Sequence, residues 1–274
     1  MISSHALREK QQVYALLAKL MSAMKALAYA ELQKLRANQQ GEKHVLQAYR
    51  RVISTLLAQG AAVPETKQRR LLIAVGTERG FCGDINRRVY GLLKKYRSKA
   101  DDAGLILVGE RLFKFHDDQG SLARLSGALV AEDVEPLVNR LMDVILNNLQ
   151  CYLLVNTQVI FLDKDLNEAV LFPLIETEMM EAAHGASEYA YGPLFYEKPV
   201  TILEKLLPEY FFATLQYTIK SALLSENHQR YAHMQEATRH LDKRHEQLSL
   251  KINQVRREKI IEEVSVSQYI EDAG

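Results

Sequence analysis

Apolar residues at helical spacing dominate the N-terminal part of the chain. Residues 3–57 contain no proline, and Gly41 is their only glycine. Apolar positions recur at steps of three and four, which is typical of one face of an amphipathic helix. The polar residues around Gly41 allow a kink, and Gly60 and Pro64 end the helix. The predicted buried face consists of Val13, Leu17, Leu20, Met24 and Leu27, followed by Leu46, Tyr49, Ile53 and Leu56.

The C-terminal part has the pattern of one long helix with a seven-residue repeat. Neither glycine nor proline occurs from Glu209 until the final Gly274. Charges of both signs fill most positions outside the apolar seam, so the pattern predicts a coiled coil, which at ~1.5 Å per residue would extend roughly 90 Å. The repeat has Leu224, Tyr231, Thr238, His245 and Ile252 at its a positions, and Asn227, Met234, Leu241, Leu248 and Val255 at its d positions.

The two terminal helices are expected to pair with each other. A long helix cannot bury its apolar seam alone, and the N-terminal helix has the matching stripe. Because both helices connect to the same middle segment, we predict that they run antiparallel as a two-helix stalk.

The middle of the chain has short β-type runs that alternate with helical patterns. This alternation is typical of an α/β unit with right-handed crossovers. The polar segment 163–167 predicts a turn, and hence an antiparallel pair, between the last two strands. Strands are predicted at 71–75, 105–108, 152–161 and 169–174, and helices at 85–96 and 134–149.

The predicted fold class is therefore α/β, with a long antiparallel coiled coil of the N- and C-terminal helices and a central small α/β (Rossmann-like) domain. We place the N-terminal coiled-coil helix at 1–62, the α/β domain at 68–203 and the C-terminal coiled-coil helix at 208–274. A middle segment of this length lies within the usual size range of a domain.

Composition and charge exclude several functional classes. The chain has 274 residues, of which 47% are hydrophobic and 25% charged, as in ordinary globular proteins. A net charge of +1 gives no reason to expect general binding to nucleic acid or anionic lipid. Cys82 and Cys151 are too few for a disulfide framework or a zinc site, and fit a reducing compartment. We find no window with the ~20 apolar residues of a membrane span, so direct membrane insertion is not expected.

A glycine-rich loop at residues 76–86, GTERGFCGDIN, follows the first predicted strand and precedes a helix. Loops in this position hold phosphates in many proteins. A P-loop, however, needs lysine and a hydroxyl residue after its last glycine, whereas Asp84 and Ile85 follow Gly83 here. The spacing of a dinucleotide site is also absent. The loop is therefore predicted to be a structural turn with Asp84 as the helix N-cap, and a phosphate site is the minor alternative.

No residue pattern predicts catalysis or metal binding. Cys82 at a helix start could act as a nucleophile, but no histidine lies near it in sequence, so a buried thiol is the preferred interpretation. The eight histidines lack the i, i+4 spacing of helical metal pairs. Basic residues at 256–259 precede acidic ones and lack interleaved aromatic residues, which favours a solvated or partner-facing surface.

Short motifs in the right order resemble the gamma subunits of F-type ATP synthases over nearly the whole chain. The family stretch SDRGLCGGLN is similar to residues 77–86, TERGFCGDIN, and ITKAMEMVAASKL is similar to residues 20–32, LMSAMKALAYAEL. The start of the family's last helix, ExLLPxY, is similar to residues 204–210. The stretches SExxxRMxAM and NxxRQxxITxE are similar to residues 225–234 and 253–263.

The resemblance implies a non-catalytic rotor shaft. In this family the paired terminal helices pass through a hexamer of alternating alpha and beta subunits, and the α/β domain rests on the c-ring beside the epsilon subunit. ATP is made or hydrolysed on the beta subunits, and torque passes by contact with the shaft. The resemblance further implies a peripheral subunit on the cytoplasmic face of the bacterial inner membrane, coupled to protons or sodium ions. It implies no cofactor and no nucleic acid.

The resemblance also implies contact residues. Met24 takes the position at which the shaft meets the moving lever of a beta subunit. Arg256 and Arg257 take positions that face the surrounding loops of the hexamer. Phe195, Tyr196 and Glu197 take the place of the foot that touches the c-ring.

Some positions depart from the family pattern. Arg257 replaces a glutamine and Ile261 a threonine, and an arginine and an amide make different hydrogen bonds. The variant MKALA at 24–28 is similar to gamma subunits of a second, divergent class of bacterial ATPase operons. Two alternatives remain at this point: a coiled-coil structural adaptor unrelated to ATPases, and an α/β enzyme that binds phosphate at the loop 76–86.

Overall fold

A computed structural model of the chain describes residues 4–61, 71–98, 103–115, 120–148, 157–162, 168–171 and 194–271. The contacts divide the chain into two compact units: a helical unit, Met1–Tyr29 with Arg230–Gly274, and a domain unit, Ala30–Gln229. The elements are α1 (Ser4–Ala58), β1 (Leu71–Val75), α2 (Ile85–Arg97), β2 (Gly104–Val108), α3 (Glu110–Phe113), β3 (Ala123–Leu125), a 3-10 turn (Ala131–Asp133), α4 (Val134–Asn148), β4 (Thr157–Leu162), β5 (Glu168–Leu171) and α5 (Pro199–Glu271).

The described part of the domain unit contains a five-stranded sheet in the order β3-β2-β1-β4-β5. β1 pairs in parallel with β2 and β4, and β2 pairs in parallel with β3. The register places Ile73 of β1 beside Ile106 of β2 and Val159 of β4. The predicted antiparallel pairing of the last two strands is confirmed, since β5 is antiparallel to β4. The connecting segment 163–167 lies outside the described residues.

The central strands are continuous apolar runs because both of their faces are buried. All five residues of β1 are buried, from Leu71 to Val75. Helix α2 buries residues at steps of three and four, which form its apolar stripe against the sheet. One core cluster joins this stripe to alternate strand positions: Leu72, Ala74, Cys82, Ile85, Val89, Leu92, Leu93, Leu105, Leu107, Leu112, Ile160 and Leu162.

Gly91 lies inside α2 at a position where a methyl group would meet no other atom within 4 Å. Glycine in a helix interior is disfavoured relative to alanine because it loses more backbone freedom on folding. We therefore expect Gly91→Ala to raise the free energy of unfolding by about 0.5–1 kcal/mol. Urea unfolding followed by circular dichroism measures the change, and a lower midpoint for the variant would contradict it.

Two details differ from the sequence-based prediction. β3 and α3 were not predicted, because elements of three and four residues are too short to show a period. Asp84 takes the N-cap position of α2, but its side chain makes no capping hydrogen bond. Parts of two predicted strands, residues 152–156 and 172–174, lie outside the described residues.

The last helix begins at Pro199 and continues through Pro208, whereas the prediction started it at 208. A proline within a helix removes one N–H···O=C bond and crowds the preceding turn. Two buried residues on either side of Pro208, Leu203 and Tyr210, anchor this stretch of α5 in the domain unit. Burial of apolar side chains therefore outweighs the local cost of the proline, which sequence propensity alone does not reveal.

In the helical unit, α1 and α5 run antiparallel, as predicted. Gln11 Nε2 donates a hydrogen bond to Ser249 Oγ at 2.6 Å, and the rings of Tyr29 and Tyr231 lie 5.9 Å apart between centroids. Residues later in α1 therefore contact residues earlier in α5, which is the antiparallel arrangement. The predicted seam of α5 is confirmed here, since its a and d residues are buried or half-buried: Tyr231, Met234, Thr238, Leu241, His245, Leu248, Ile252 and Val255.

The predicted buried face of α1 is wrong in the helical unit at four of its five positions, and only Met24 is half-buried. Val13, Leu20 and Leu27 are 52%, 52% and 67% exposed. The observed face lies one residue further along the helix, a rotation of about 100°. The alanines of this face, Ala18 and Ala28, allow close approach to α5, whereas the apolar period of the sequence selects the most apolar face. The buried or half-buried positions at heptad spacing are Leu7, Gln11, Tyr14, Ala18, Met21, Lys25 and Ala28.

In the domain unit the predicted face of α1 is confirmed. Leu46, Ile53 and Leu56 are buried. Arg50 Nε donates a hydrogen bond to the hydroxyl of Tyr210 at 3.2 Å, so this part of α1 also lies against α5. Two further pairs join the same helices, Tyr49 with Tyr210 at a ring distance of 6.1 Å and Glu42 with Lys220 as an ion pair.

Helix α1 contains a window with a mean hydropathy of 1.3, which meets the length and composition of a membrane span. The sequence-based expectation that no such window exists is therefore wrong. Only 6% of the window is buried, because its valine and leucine side chains lie off the seam with α5. By length and composition alone, α1 is the one helix among the described residues that could span a membrane.

Candidate functional site

The loop 76–86 begins at the carboxyl end of β1, between β2 and β4, where the order of the strands reverses. Open α/β sheets bind their ligands at this kind of switch point. Here the polar groups of the loop form hydrogen bonds with one another. Thr77 N donates to Asn86 Oδ1 at 2.9 Å, Asn86 Nδ2 donates to Thr77 Oγ1 at 2.8 Å, and Thr77 Oγ1 donates to the carbonyl of Arg79 at 3.0 Å.

A carboxylate takes the backbone donors that a phosphate would need. Glu78 Oε2 accepts hydrogen bonds from Gly127 N at 2.6 Å and from Glu110 N, at the start of α3, at 3.1 Å. An anionic side chain at this point also repels a second anion. The geometry favours the predicted structural turn over the phosphate site.

Cys82 is 2% exposed, and its thiol donates to the carbonyl of Gly80 at 3.1 Å. A buried thiol that donates to a backbone carbonyl is poorly placed to form the thiolate of a nucleophile. His116 and His184, the distant histidines that could approach it, lie outside the described residues. Among the described residues there is no group of three or more histidine, cysteine, aspartate or glutamate side chains able to hold a metal ion.

The predicted shaft residues lie in the helical unit. Met24 is half-buried on α1, and Arg256 and Arg257 are exposed on α5. Exposed apolar side chains accompany them on both helices: Val13, Leu16, Leu20 and Leu27 on α1, and Ile260, Ile261 and Val264 on α5. This unit therefore presents a mixed apolar and basic surface with no covering element among the residues described.

The predicted foot residues lie just before α5 in the domain unit. Tyr196 is fully exposed and Phe195 is half-buried. Both carboxylate oxygens of Glu197 accept hydrogen bonds from Lys205 Nζ, at 3.0 and 2.8 Å. Glu197 therefore ties this segment to the second turn of α5. Leu194, in the same segment, is 96% exposed.

Comparison with known sequences identifies relatives of similar length. A gamma chain of ATP synthase from Glaesserella parasuis serovar 5 (strain SH0165) is 26% identical over 266 residues, covering 90% of this chain and 91% of the relative. The ATP synthase gamma chain of Halothermothrix orenii (strain H 168 / OCM 544 / DSM 9562) is 23% identical over 273 residues, covering 90% of each chain.

Comparison with solved structures identifies the same fold in two mitochondrial assemblies. A chain of the Euglena gracilis ATP synthase, in a structure of OSCP, F1 and c-ring, matches with a TM-score of 0.63 and 14% identity, over 95% of this chain and 91% of that chain. A chain from the central stalk and c-ring of the Tetrahymena thermophila enzyme matches with a TM-score of 0.54 and 13% identity, over 80% and 99%. The family model described as ATP synthase matches residues 3–266, and the chain therefore belongs to this family, with gamma chains as its named relatives.

Proposed function

We propose that this chain is the central rotor stalk subunit of a proton- or sodium-translocating F-type ATP synthase. It couples ion flow through the membrane ring to ATP synthesis or hydrolysis on the beta subunits. The family membership and the gamma-chain names of its relatives support this function. Nothing specific favours a coiled-coil adaptor unrelated to ATPases, which gives no reason for a family match along residues 3–266.

The observation that carries the proposal is the uncovered apolar face of α1 in the helical unit. Val13, Leu16, Leu20 and Leu27 are 52–69% exposed, although α1 is already paired with α5. Apolar side chains in such a row are typical of a surface that a partner covers. A hexamer of alpha and beta subunits around the paired helices would cover it from outside.

The proposed shaft contacts are Met24 with a lever of a beta subunit, and Arg256 and Arg257 with loops of the hexamer. Their placement supports these roles in two ways. Met24 combines partial burial with a flexible side chain that adapts to a moving partner. The two exposed guanidinium groups can form forked hydrogen bonds with carboxylates.

The proposed foot towards the c-ring consists of Phe195, Tyr196 and Glu197, with the epsilon subunit beside it. The full exposure of Leu194 and Tyr196 in one segment supports a contact role, since neighbouring exposed apolar side chains are typical of an interaction surface. Glu197 contributes by fixing the segment to Lys205. The proposed functional segments are the shaft helices, at 1–62 and 208–274, and the α/β domain at 68–203.

We further propose that the subunit performs no chemistry itself. The filled loop 76–86 supports this, since Glu78 and Asn86 take the donors and acceptors that a nucleotide would need. The subunit would act as a peripheral component of the membrane-bound complex, on the cytoplasmic face of the bacterial inner membrane. A stiff helix pair is sufficient for this role, because torque passes by contact.

Co-expression with the alpha and beta subunits of the same organism tests the proposal. We expect a complex of one copy of this chain with three of each partner and with ATPase activity. The triple variant Val13→Ser, Leu20→Ser and Leu27→Ser should weaken incorporation at least tenfold, because it removes three of the apolar side chains that the hexamer would bury. The matched control, Gln12→Ser with Lys19→Ser, changes exposed polar positions on the same stretch of helix and should assemble normally. An active hexamer that excludes the wild-type chain would refute the function.

A further inference from the structure

A cluster of charges joins helix α1 to the turn that begins α4, entirely within the domain unit. Lys34 Nζ lies 3.2 Å from Glu31 Oε1 on its own helix and 3.2 Å from Glu132 Oε1 on the 3-10 turn. Glu31 Oε2 accepts a hydrogen bond from Ala131 N at 3.2 Å. One carboxylate of α1 thus binds both a lysine and a backbone amide of another element.

The amides at the start of α4 need acceptors, because the first N–H groups of a helix have no partner within it. Asp133 Oδ2 accepts hydrogen bonds from Leu129 N at 3.0 Å and from Val130 N at 3.2 Å. The next amide, of Ala131, bonds instead to Glu31, which lies 100 residues earlier in the chain. An anion near a helix N-terminus is also favoured by the helix dipole. The turn therefore satisfies two of these three amides itself, and the amide of Ala131 is satisfied by Glu31 of α1.

A cleft of about 490 Å³ lies beside this contact. Next to the cleft, the carboxylate and ammonium groups link the two elements by polar contacts. The cleft is lined by Lys34, Leu35, Ala37, Ala131, Glu132 and Lys220.

We propose that Glu31 is a positioning residue: together with Lys34 and Glu132 it clasps the start of α4 to helix α1, so that the α/β domain and this helix rotate as one body. The mechanical consequence rests on the proposed rotor function, whereas the clasp itself does not. A rotor that transmits twist between its domain and its shaft helix needs such a link, because relative motion there would dissipate torque.

The charges of the clasp are present at neutral pH. The hydrogen bonds that Lys34 donates to Glu132 and Glu31, and the negative charges of these carboxylates, raise the pKa of Lys34 above its usual value of 10.5. A backbone hydrogen bond and Lys34 hold the pKa of Glu132 below its usual value of 4.5. The contribution of Glu132 is complete above its unfolded pKa and is lost as the pH falls through its folded pKa. The contribution of Lys34 is complete below its unfolded pKa and is lost as the pH rises through its folded pKa.

Amide hydrogen exchange of the full chain at pH 7 tests the clasp. Glu31→Ala and Glu31→Lys should speed exchange at Ala131 about tenfold, because a hydrogen bond to a charged group is lost. Lys34→Glu and Glu132→Lys should each speed it, and the double variant, which restores an ion pair of opposite polarity, should recover part of the protection. Lys43→Ala on α1 and Glu135→Ala on α4 are matched controls that remove exposed charges from the same helices.

The same variants in the assembled complex test the mechanical role. We expect Glu31→Lys to lower the ratio of ATP-driven ion transport to ATP hydrolysis at least twofold, with hydrolysis itself retained. Unchanged exchange at Ala131 in Glu31→Ala would overturn the clasp, and faster exchange with an unchanged transport ratio would overturn its role in coupling. Failure of the wild-type chain to assemble would refute the rotor function instead, since the exchange measurement does not depend on it.

Discussion

Leu241→Pro is expected to abolish ATP-driven ion transport by the assembled enzyme while leaving ATP hydrolysis measurable. Leu241 is a half-buried d residue of α5 in the helical unit, far from either end of that helix. A proline there removes a backbone hydrogen bond and its ring collides with the preceding turn, at a cost of ~3 kcal/mol or more. The resulting kink would misalign the seam with α1, so that rotation of the shaft no longer follows the hexamer.

Transport and hydrolysis measured side by side in membrane vesicles decide this prediction. Leu241→Ala controls for the lost side chain and should reduce coupling far less. His5→Pro controls for proline itself, because it lies in the first turn of α1, where the N–H has no acceptor within the helix. If Leu241→Pro pumped ions as well as His5→Pro does, the stalk would not be the element that transmits torque.

Gly109→Ala is expected to lower the free energy of unfolding by about 3 kcal/mol. Gly109 links β2 to α3 with φ of +100°, a conformation that residues with a Cβ rarely adopt. An added Cβ would also lie 2.9 Å from the carbonyl carbon of Gly76 and from the carbonyl oxygen of Thr77. Both neighbours are backbone atoms of the loop after β1, so neither can rotate away.

Denaturant unfolding of the full chain measures this loss. Gly91→Ala is the matched control, because the same methyl group is added where φ is helical and space is open, and its effect should have the opposite sign. A Gly109→Ala variant as stable as the wild type would mean that the loop between β1 and α2 can shift to admit a side chain. In that case the close backbone contact of Gly109 with Gly76 and Thr77 would not be a fixed part of the fold.

The interior of the α/β domain was predictable because its residues are buried on all sides. The continuous apolar run of β1 and the stripe of α2 have one low-energy arrangement, a parallel sheet covered by helices. The predicted bounds of α2 differ from the observed bounds by one residue, and α4 begins at residue 134 as predicted. The antiparallel β4–β5 pair followed from the polar segment between them.

The candidate site was predictable only in part. The motif resemblance assigned contact roles to Met24, Arg256 and the foot residues, and these roles stay predictions. It could not show that Glu197 is bonded to Lys205 or that Glu78 fills the switch point. These contacts depend on which residues the fold brings together, and they leave no periodic pattern in the sequence. The clasp at Glu31 was missed for the same reason, since its partner amide is 100 residues away.

The sequence by itself determined the number and order of the long elements, the seam of α5 and the family to which the chain belongs. Apolar spacing is sufficient for this because each helix or strand responds to its own pattern of side chains. Only the tertiary structure decided which face of α1 meets α5 in the helical unit, where Tyr14 and Ala18 lie on the seam and Leu20 faces outward. The choice depends on how closely the two helices can approach each other, which the pattern of either helix alone does not show.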